Sequence, residues 1–150
     1  MTALTEAEIA RYQRHIVLKE IGGAGQQKLK AARVALVGLG GLGHPVAQYL
    51  AAAGVGTLGL IDDDTVSLSN LQRQVLFSDA MLGTDKCAAV ADALSALNPH
   101  LQTQCHHHRL NADNSDALLD SYDVVVDGSD NFATRSVSYT HLTLPTILLV

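Results

Sequence analysis

Val34-Ala35-Leu36-Val37 runs straight into Gly38-Leu39-Gly40-Gly41-Leu42-Gly43. An apolar strand that ends in a glycine-rich turn, with a helix starting at once, admits few folds. Such a turn brings bare backbone N–H groups to a helix N-terminus, where the partial positive charge favours an anion such as a phosphate. A side chain at those points would block the approach or the turn itself, which is why glycine recurs. The segment predicts a nucleotide-binding unit.

The flanking pattern completes that unit. The first strand is expected at 33–37 and its helix at 42–53, where Ala47, Ala51, Ala52 and Ala53 permit close packing on a sheet. Gly54-Val55-Gly56 ends the helix, and a second strand at 57–61 leads into Asp62-Asp63-Asp64. Strand, helix and strand in this order predict an α/β fold: a Rossmann-like, doubly wound parallel sheet with flanking helices. Ahead of it, Thr5 to Glu8 reads as a capping box opening an N-terminal helical extension to about Leu18, with Ile9, Tyr12, Ile16 and Val17 as its apolar face. Gly22-Gly23-Ala24-Gly25 is expected to break that helix, with a short helix over 26–32. Beyond the second strand, 65–83 reads as polar loop. Thr84 is the expected cap of a helix over 85–97 that Asn98-Pro99 stops. A strand over 101–107, a short helix over 113–121 and a buried strand over 123–127 follow.

Composition sets outer limits. A chain of 150 residues suits one domain, and 47% hydrophobic with 17% charged residues is the make-up of a soluble globular protein. A net charge of -5 argues against a nucleic-acid partner. No apolar run reaches the roughly 18 residues of a membrane-spanning helix. Met1-Thr2-Ala3-Leu4-Thr5-Glu6 lacks the basic and apolar regions of a signal peptide. No membrane association and a cytoplasmic location are therefore expected. Cys87 and Cys105 show neither metal nor disulfide spacing, and Cys87 is expected to be a small packed thiol. Of His106-His107-His108, the first and third share a strand face, but two histidines without a third ligand make a poor zinc site. An exposed edge strand is expected there instead.

Asp62 lies 19 residues past Gly43, at the end of the second strand, where a carboxylate accepts hydrogen bonds from ribose hydroxyls. These features alone would favour a nicotinamide dehydrogenase. The polar set Ser69-Asn70-Leu71-Gln72-Arg73-Gln74, Lys86 at a helix start and Asp130-Asn131 after the last strand point elsewhere. All are expected at the carboxyl ends of strands or in nearby loops, where an open α/β sheet places its ligand. Hydride transfer needs no such group of cations. Breaking a triphosphate does, because negative charge collects on the departing phosphates.

Arg11-Tyr12-Gln13-Arg14, Gly38 to Gly43, Ser69 to Gln74, Lys86, Asn98-Pro99, and Asp127-Gly128-Ser129-Asp130-Asn131 with Thr134-Arg135 together resemble the ThiF/MoeB/HesA family of adenylyltransferases, relatives of the ubiquitin-activating enzymes. The resemblance spans about 4–135 and is strongest to the molybdopterin-synthase adenylyltransferase branch (MoeB), with the ThiF branch second. It implies that ATP, with Mg²⁺, activates the C-terminal glycine carboxylate of a ubiquitin-like sulfur-carrier protein ending in Gly-Gly, of the molybdopterin-synthase small-subunit type, and releases pyrophosphate. Activation of the thiamine sulfur carrier is the alternative within the family, and a non-catalytic nucleotide-binding or dimerisation fragment the alternative outside catalysis. By the same resemblance Gly38, Gly40, Gly41 and Gly43 close on the nucleotide, and Asp62 holds its ribose. Ser69, Asn70, Leu71, Gln72 and Arg73 surround the phosphates, and Lys86 bridges them. Asp130 holds Mg²⁺ with Asn131 beside it. Arg14, Arg73, Lys86 and Asp130 carry the catalysis, with Arg14 as an arginine finger entering the neighbouring subunit's site in a homodimer.

After Arg135 the resemblance stops. The expected domain is 1–135, the N-terminal part of an adenylyltransferase domain with an incomplete C-terminal half. Residues 136–150 read as a non-family tail, closer to adapter or frame-shifted DNA than to an evolved domain end. Within it Pro145-Thr146-Ile147-Leu148-Leu149-Val150 mimics a next strand by chance. Zinc is expected in full-length relatives on paired CxxC motifs, which this sequence does not contain. His15 stands where the family often has glutamine, and Gly128-Ser129 replaces a bulkier pair.

Overall fold

A computed structural model describes residues 3–141 of the chain. Thr5 opens the first helix, α1 (Glu6–Ile16), through a capping box. Its hydroxyl accepts the Glu8 N–H at 3.3 Å, while the Glu8 carboxylate accepts the Thr5 N–H at 2.7 Å. The inward face of α1 differs from the expected one. Tyr12 and Glu8 are buried, whereas Ile9 is 48% and Val17 77% exposed. Tyr12 turns in because its hydroxyl accepts a 2.7 Å hydrogen bond from the buried Asn98 amide. Glu8 turns in because Lys30 meets it at 2.8 Å. Burial alone would raise the Glu8 carboxyl. The Lys30 ammonium and the Thr5 N–H and hydroxyl outweigh that effect and hold it at about 2.

The expected break at Gly22-Gly23-Ala24-Gly25 is a start instead. The Gly22 N–H donates to the Leu18 carbonyl at 2.8 Å and Gly22 takes φ 62°, which turns the chain. Helix α2 (Gly22–Ala31) then runs through the remaining glycines. Next come β1 (Arg33–Val37), α3 (Gly43–Ala53) and β2 (Thr57–Ile61). Gly54, left-handed at φ 88°, closes α3. The polar loop holds two short 3-10 turns, Leu68–Asn70 and Asp79–Met81. Asp85, rather than the expected Thr84, caps α4 (Lys86–Leu97): its carboxylate accepts the Ala88 N–H at 3.0 Å, while the Thr84 hydroxyl turns back to the Met81 carbonyl. The described residues end in β3 (Gln102–His106), α5 (Ser115–Leu119), β4 (Val124–Asp127) and α6 (Phe132–His141). Helix α5 is shorter than expected because Asn111 and Asn114 tie the preceding residues into a side-chain-bonded loop.

The four strands are all parallel, in the order β3-β2-β1-β4. The sheet is Rossmann-like, as the strand–helix–strand pattern predicts. One face buries Val34, Leu36, Leu58 and Leu60 under α3 and α4. The fully buried leucines among them each contribute about 2 kcal/mol by leaving water. The other face buries Ala35, Val37 and Ile61 under α5 and α6 with Leu110, Leu118 and Leu119. Asn98 pins the helices together, its amide donating both to Tyr12 and to the Ala51 carbonyl at 2.7 Å.

Helix α6 runs across the boundary expected after Arg135. The expected strand mimic at 145–150 lies outside the described residues. No helix among the described residues is long and apolar enough to cross a membrane.

Candidate functional site

Strand β1 lies between β2 and β4. The chain leaves β1 for β2 and β3, then returns to pair on the opposite side. At such a reversal the loops after neighbouring strands part and leave a crevice at the carboxyl edge. A cleft of about 600 Å³ opens there. Each strand supplies part of its wall: Gly38 and Gly40–Leu42 after β1, Asp62–Asp64 after β2, His108–Leu110 after β3, and Gly128–Asn131 after β4. Asn70, Arg73, Gln74, Lys86 and Arg135 complete it.

The glycines divide into two kinds. A Cβ on Gly43 would sit 2.1 Å from the Gly38 carbonyl oxygen, and one on Gly38, itself at φ 85°, 2.8 Å from the Ser129 nitrogen. Those two are required where the turn crosses the end of β4. Gly40 and Gly41 face the cleft with room to spare, a Cβ on Gly41 meeting Arg73 Cδ at 3.4 Å. The N–H groups of Gly40, Gly41 and Leu42 make no backbone hydrogen bond among the described residues. They are a ready anion cradle at the start of α3.

Three consecutive carboxylates, with one oxygen from each lying within 4.8 Å of the others, would repel one another if left alone. Each is tied to a different wall. Asp62 accepts the Leu39 N–H at 2.7 Å and the Asp64 N–H at 2.9 Å, and so fastens the glycine turn to β2. Asp63 pairs with Arg109 at 3.1 Å and Asp64 with Lys86 at 2.8 Å. Asp62 was expected to face a ribose. It lines the cleft, and a carboxylate accepting two N–H groups keeps capacity for hydroxyl donors.

Lys86 is 4% exposed, at the start of α4. An ammonium has three donors, and the Asp64 pair uses one. Arg73 is exposed and steadied by one bond from Nη1 to the Ser69 carbonyl at 3.1 Å. Asp130 is exposed in the wall, and its carboxylate has no side-chain partner among the described residues. Asn131, expected beside the metal, also caps α6: its side-chain oxygen accepts the Thr134 N–H at 2.8 Å.

Several predicted site residues fall elsewhere. Ser69 meets Ser67 through its hydroxyl and reaches the site only by holding Arg73. Leu71 packs on the core, Gln72 points to solvent, and Gly43 is buried behind the turn. A six-residue run that leaves the Leu68–Asn70 3-10 turn after its second residue cannot aim every side chain one way. Arg14 is exposed on α1 and does not line its own chain's cleft. Conversely, Arg109 and Leu110 line the cleft without having been singled out, and His108, weighed only as a metal ligand, lines it with them. The available signal was topological: a loop following any parallel strand lies at the same edge.

His44, one residue into α3, is fully buried. Its Nδ1 accepts the Leu76 N–H at 3.4 Å, and its ring packs edge-on against Phe77. Burial, then the nearby Lys86 charge, pulls its pKa down to about 4 from the ordinary 6.5. The folded state therefore binds this proton less readily than the unfolded state. The corresponding stability is present above pH 6.5 and is lost as pH falls through 4. His44→Gln is expected to flatten the fall in melting temperature between those pH values; equal slopes in the two proteins would refute this.

Cys87 is packed as expected. Burial first, with Asp85 and Asp62 nearby, pushes its thiol up to about 12. The three histidines separate: His106 bonds the Tyr122 hydroxyl at 3.1 Å from edge strand β3, His107 pairs with Asp85, and His108 enters the cleft wall.

Residues 12–140 match the ThiF family. The chain is 51% identical over 135 residues to the adenylyltransferase and sulfurtransferase MOCS3 of Anopheles gambiae, spanning 90% of this chain and 31% of that protein. It is 48% identical over 134 residues to the probable adenylyltransferase/sulfurtransferase MoeZ of Mycobacterium tuberculosis, spanning 89% of this chain and 34% of that one. The chain thus spans about a third of the length of these relatives. Among solved structures, E. coli MccB with succinimide superposes with a TM-score of 0.76 at 30% identity, over 92% of this chain and 42% of that one. E. coli tRNA N6-threonylcarbamoyladenosine dehydratase TcdA, solved with ATP, reaches 0.85 at 24% identity, over 93% and 58%, a likeness of fold alone.

Proposed function

The chain belongs to the ThiF family, and from that premise we propose that it binds ATP in the cleft and adenylates the C-terminal glycine carboxylate of a ubiquitin-like sulfur-carrier protein. The observation that carries this reading is the grouping of Lys86, Arg73, Asn70 and Asp130 in one cleft with the glycine-turn amides. The motif resemblance favours a carrier of the molybdopterin-synthase small-subunit type, and the relatives MOCS3 and MoeZ are named adenylyltransferases and sulfurtransferases, which fits a sulfur carrier.

In this reading a carboxylate oxygen of the carrier attacks the α-phosphorus, and the bond to the bridging oxygen breaks. Pyrophosphate leaves with the electron pair, and the carrier keeps AMP as an acyl-adenylate. Charge shifts toward the β- and γ-phosphates. Lys86, buried and held by Asp64, and Arg73 at the mouth of the glycine turn stand ready to meet it. The turn amides orient the phosphates, and Asp62 receives ribose hydroxyls. Asp130 fits a Mg²⁺ ion, since one unengaged carboxylate beside phosphate oxygens is how that ion is usually held. Bound there, the ion would offset phosphate charge.

Arg14 reaches no part of its own cleft, which fits a finger offered to a second copy in a homodimer. The test is ATP–pyrophosphate exchange with a Gly-Gly-ended carrier. Exchange that depends on the carrier is the expected result. NADH binding without ATP binding would replace the reading with a nicotinamide one. Mixed Arg14→Ala and Lys86→Ala subunits are expected to regain part of the exchange, and no rescue would remove the finger.

A further inference from the structure

The loop after β3 contributes to the cleft a cation that lies in none of the family motifs. Arg109 and Asp63 join through Nε at 3.1 Å, bridging the ends of β3 and β2. The loop beneath is tied to itself and to the core. Asn114 donates to the Arg109 carbonyl at 2.9 Å, Asn114 and Asn111 bond each other's backbone, and Leu110 is buried with Val37 and Ile61. A guanidinium held by its Nε keeps both terminal nitrogens and its flat faces for a ligand. This wall stands at the β3 and β2 ends of the edge, next to Asp62, whereas the turn amides, Arg73 and Asp130 lie around the ends of β1 and β4.

We propose that the Arg109–Asp63 pair, with His108 beside it, forms the nucleoside end of the cleft, and that the Arg109 plane carries the purine base by stacking. The proposal rests on the nucleotide reading above and adds to it which residues sense the base rather than the phosphates. Asp63 acts as a positioning residue for Arg109. A stacking cation is sensitive to shape as well as charge, so lysine does not substitute for it.

The test is calorimetric binding of AMP, ATP and inorganic tripolyphosphate to the full chain and to Arg109→Ala, Arg109→Lys and Arg73→Ala, each checked for folding by circular dichroism. Arg109→Ala and Arg109→Lys are expected to weaken AMP and ATP by about tenfold and to leave tripolyphosphate unchanged, the scale of losing one stacking partner. Arg73→Ala is expected to weaken tripolyphosphate. Equal weakening of tripolyphosphate by Arg109→Ala would make Arg109 a phosphate contact and overturn the proposal. So would full retention of AMP binding, or rescue by lysine. Failure of the unaltered chain to bind any of the three would remove the nucleotide reading together with this one.

Discussion

Arg73→Ala is expected to lower the rate of carrier-dependent ATP–pyrophosphate exchange by about two to three orders of magnitude, the scale for removing one preorganised charge stabiliser. Arg73 suits this measurement better than Lys86. Removing the Lys86 ammonium leaves Asp64 without its partner and empties a buried position, so a fall in rate would mix chemistry with folding. Arg73 is exposed and held by a single bond to the Ser69 carbonyl, so its loss strands nothing buried. Its stem also lies along Gly41, which puts the guanidinium beside the turn amides. Charge that builds on the departing pyrophosphate would then meet a donor already in place. The melting temperature is expected to stay within a degree or two, since exposed substitutions cost about 0.5 kcal/mol or less. An unchanged exchange rate would take Arg73 out of the mechanism.

Gly43→Ala is the second large effect, and it acts on folding. The added methyl would lie 2.1 Å from the Gly38 carbonyl oxygen and 3.1 Å from its carbon. Both atoms are backbone, so no side-chain rotation relieves the clash. Helix α3 would have to move away from the end of β1, and the turn that Asp62 ties down would move with it. The expected cost is about 3 kcal/mol, a large share of a domain's total stability. Urea unfolding midpoints measure it. Gly41→Ala is the control, since its methyl meets only the Arg73 stem at ordinary contact distance, and its midpoint is expected to hold. Equal midpoints for Gly43→Ala and the unaltered chain would mean that the turn is not packed as described.

These two glycines show how far local sequence reaches. The Gly-rich turn announces itself by composition, and its sequence offers two reasons for glycine, close approach to a phosphate and the turn itself, without saying which residue serves which. Packing divides them. Gly38 is needed because β4 arrives beside β1 and brings Ser129 against the turn, a contact with a partner ninety positions away, and Gly43 because α3 starts against the Gly38 carbonyl. Gly40 and Gly41 remain for the ligand. The aspartates divide in the same way. Asp62 stands at the expected strand end, but its first partner is the Leu39 N–H, and its neighbours pair with Arg109 and Lys86.

What the amino-acid order settled unaided is what depends on neighbours in the chain. The capping box at Thr5 and Glu8, the strand at Arg33–Val37, the left-handed stop at Gly54 and the strand at Thr57–Ile61 each follow from residues within a few positions. The short motifs that carry Arg73, Lys86 and Asp130 are legible one by one for the same reason, whereas their meeting in one cleft belongs to the fold. Only the tertiary structure decided which side of β1 received β4, that Tyr12 and Glu8 rather than Ile9 and Val17 face inward, and that the loop after β3 walls the cleft. Those outcomes depend on surfaces that meet across scores of residues, and no local pattern encodes a surface that the chain has yet to assemble.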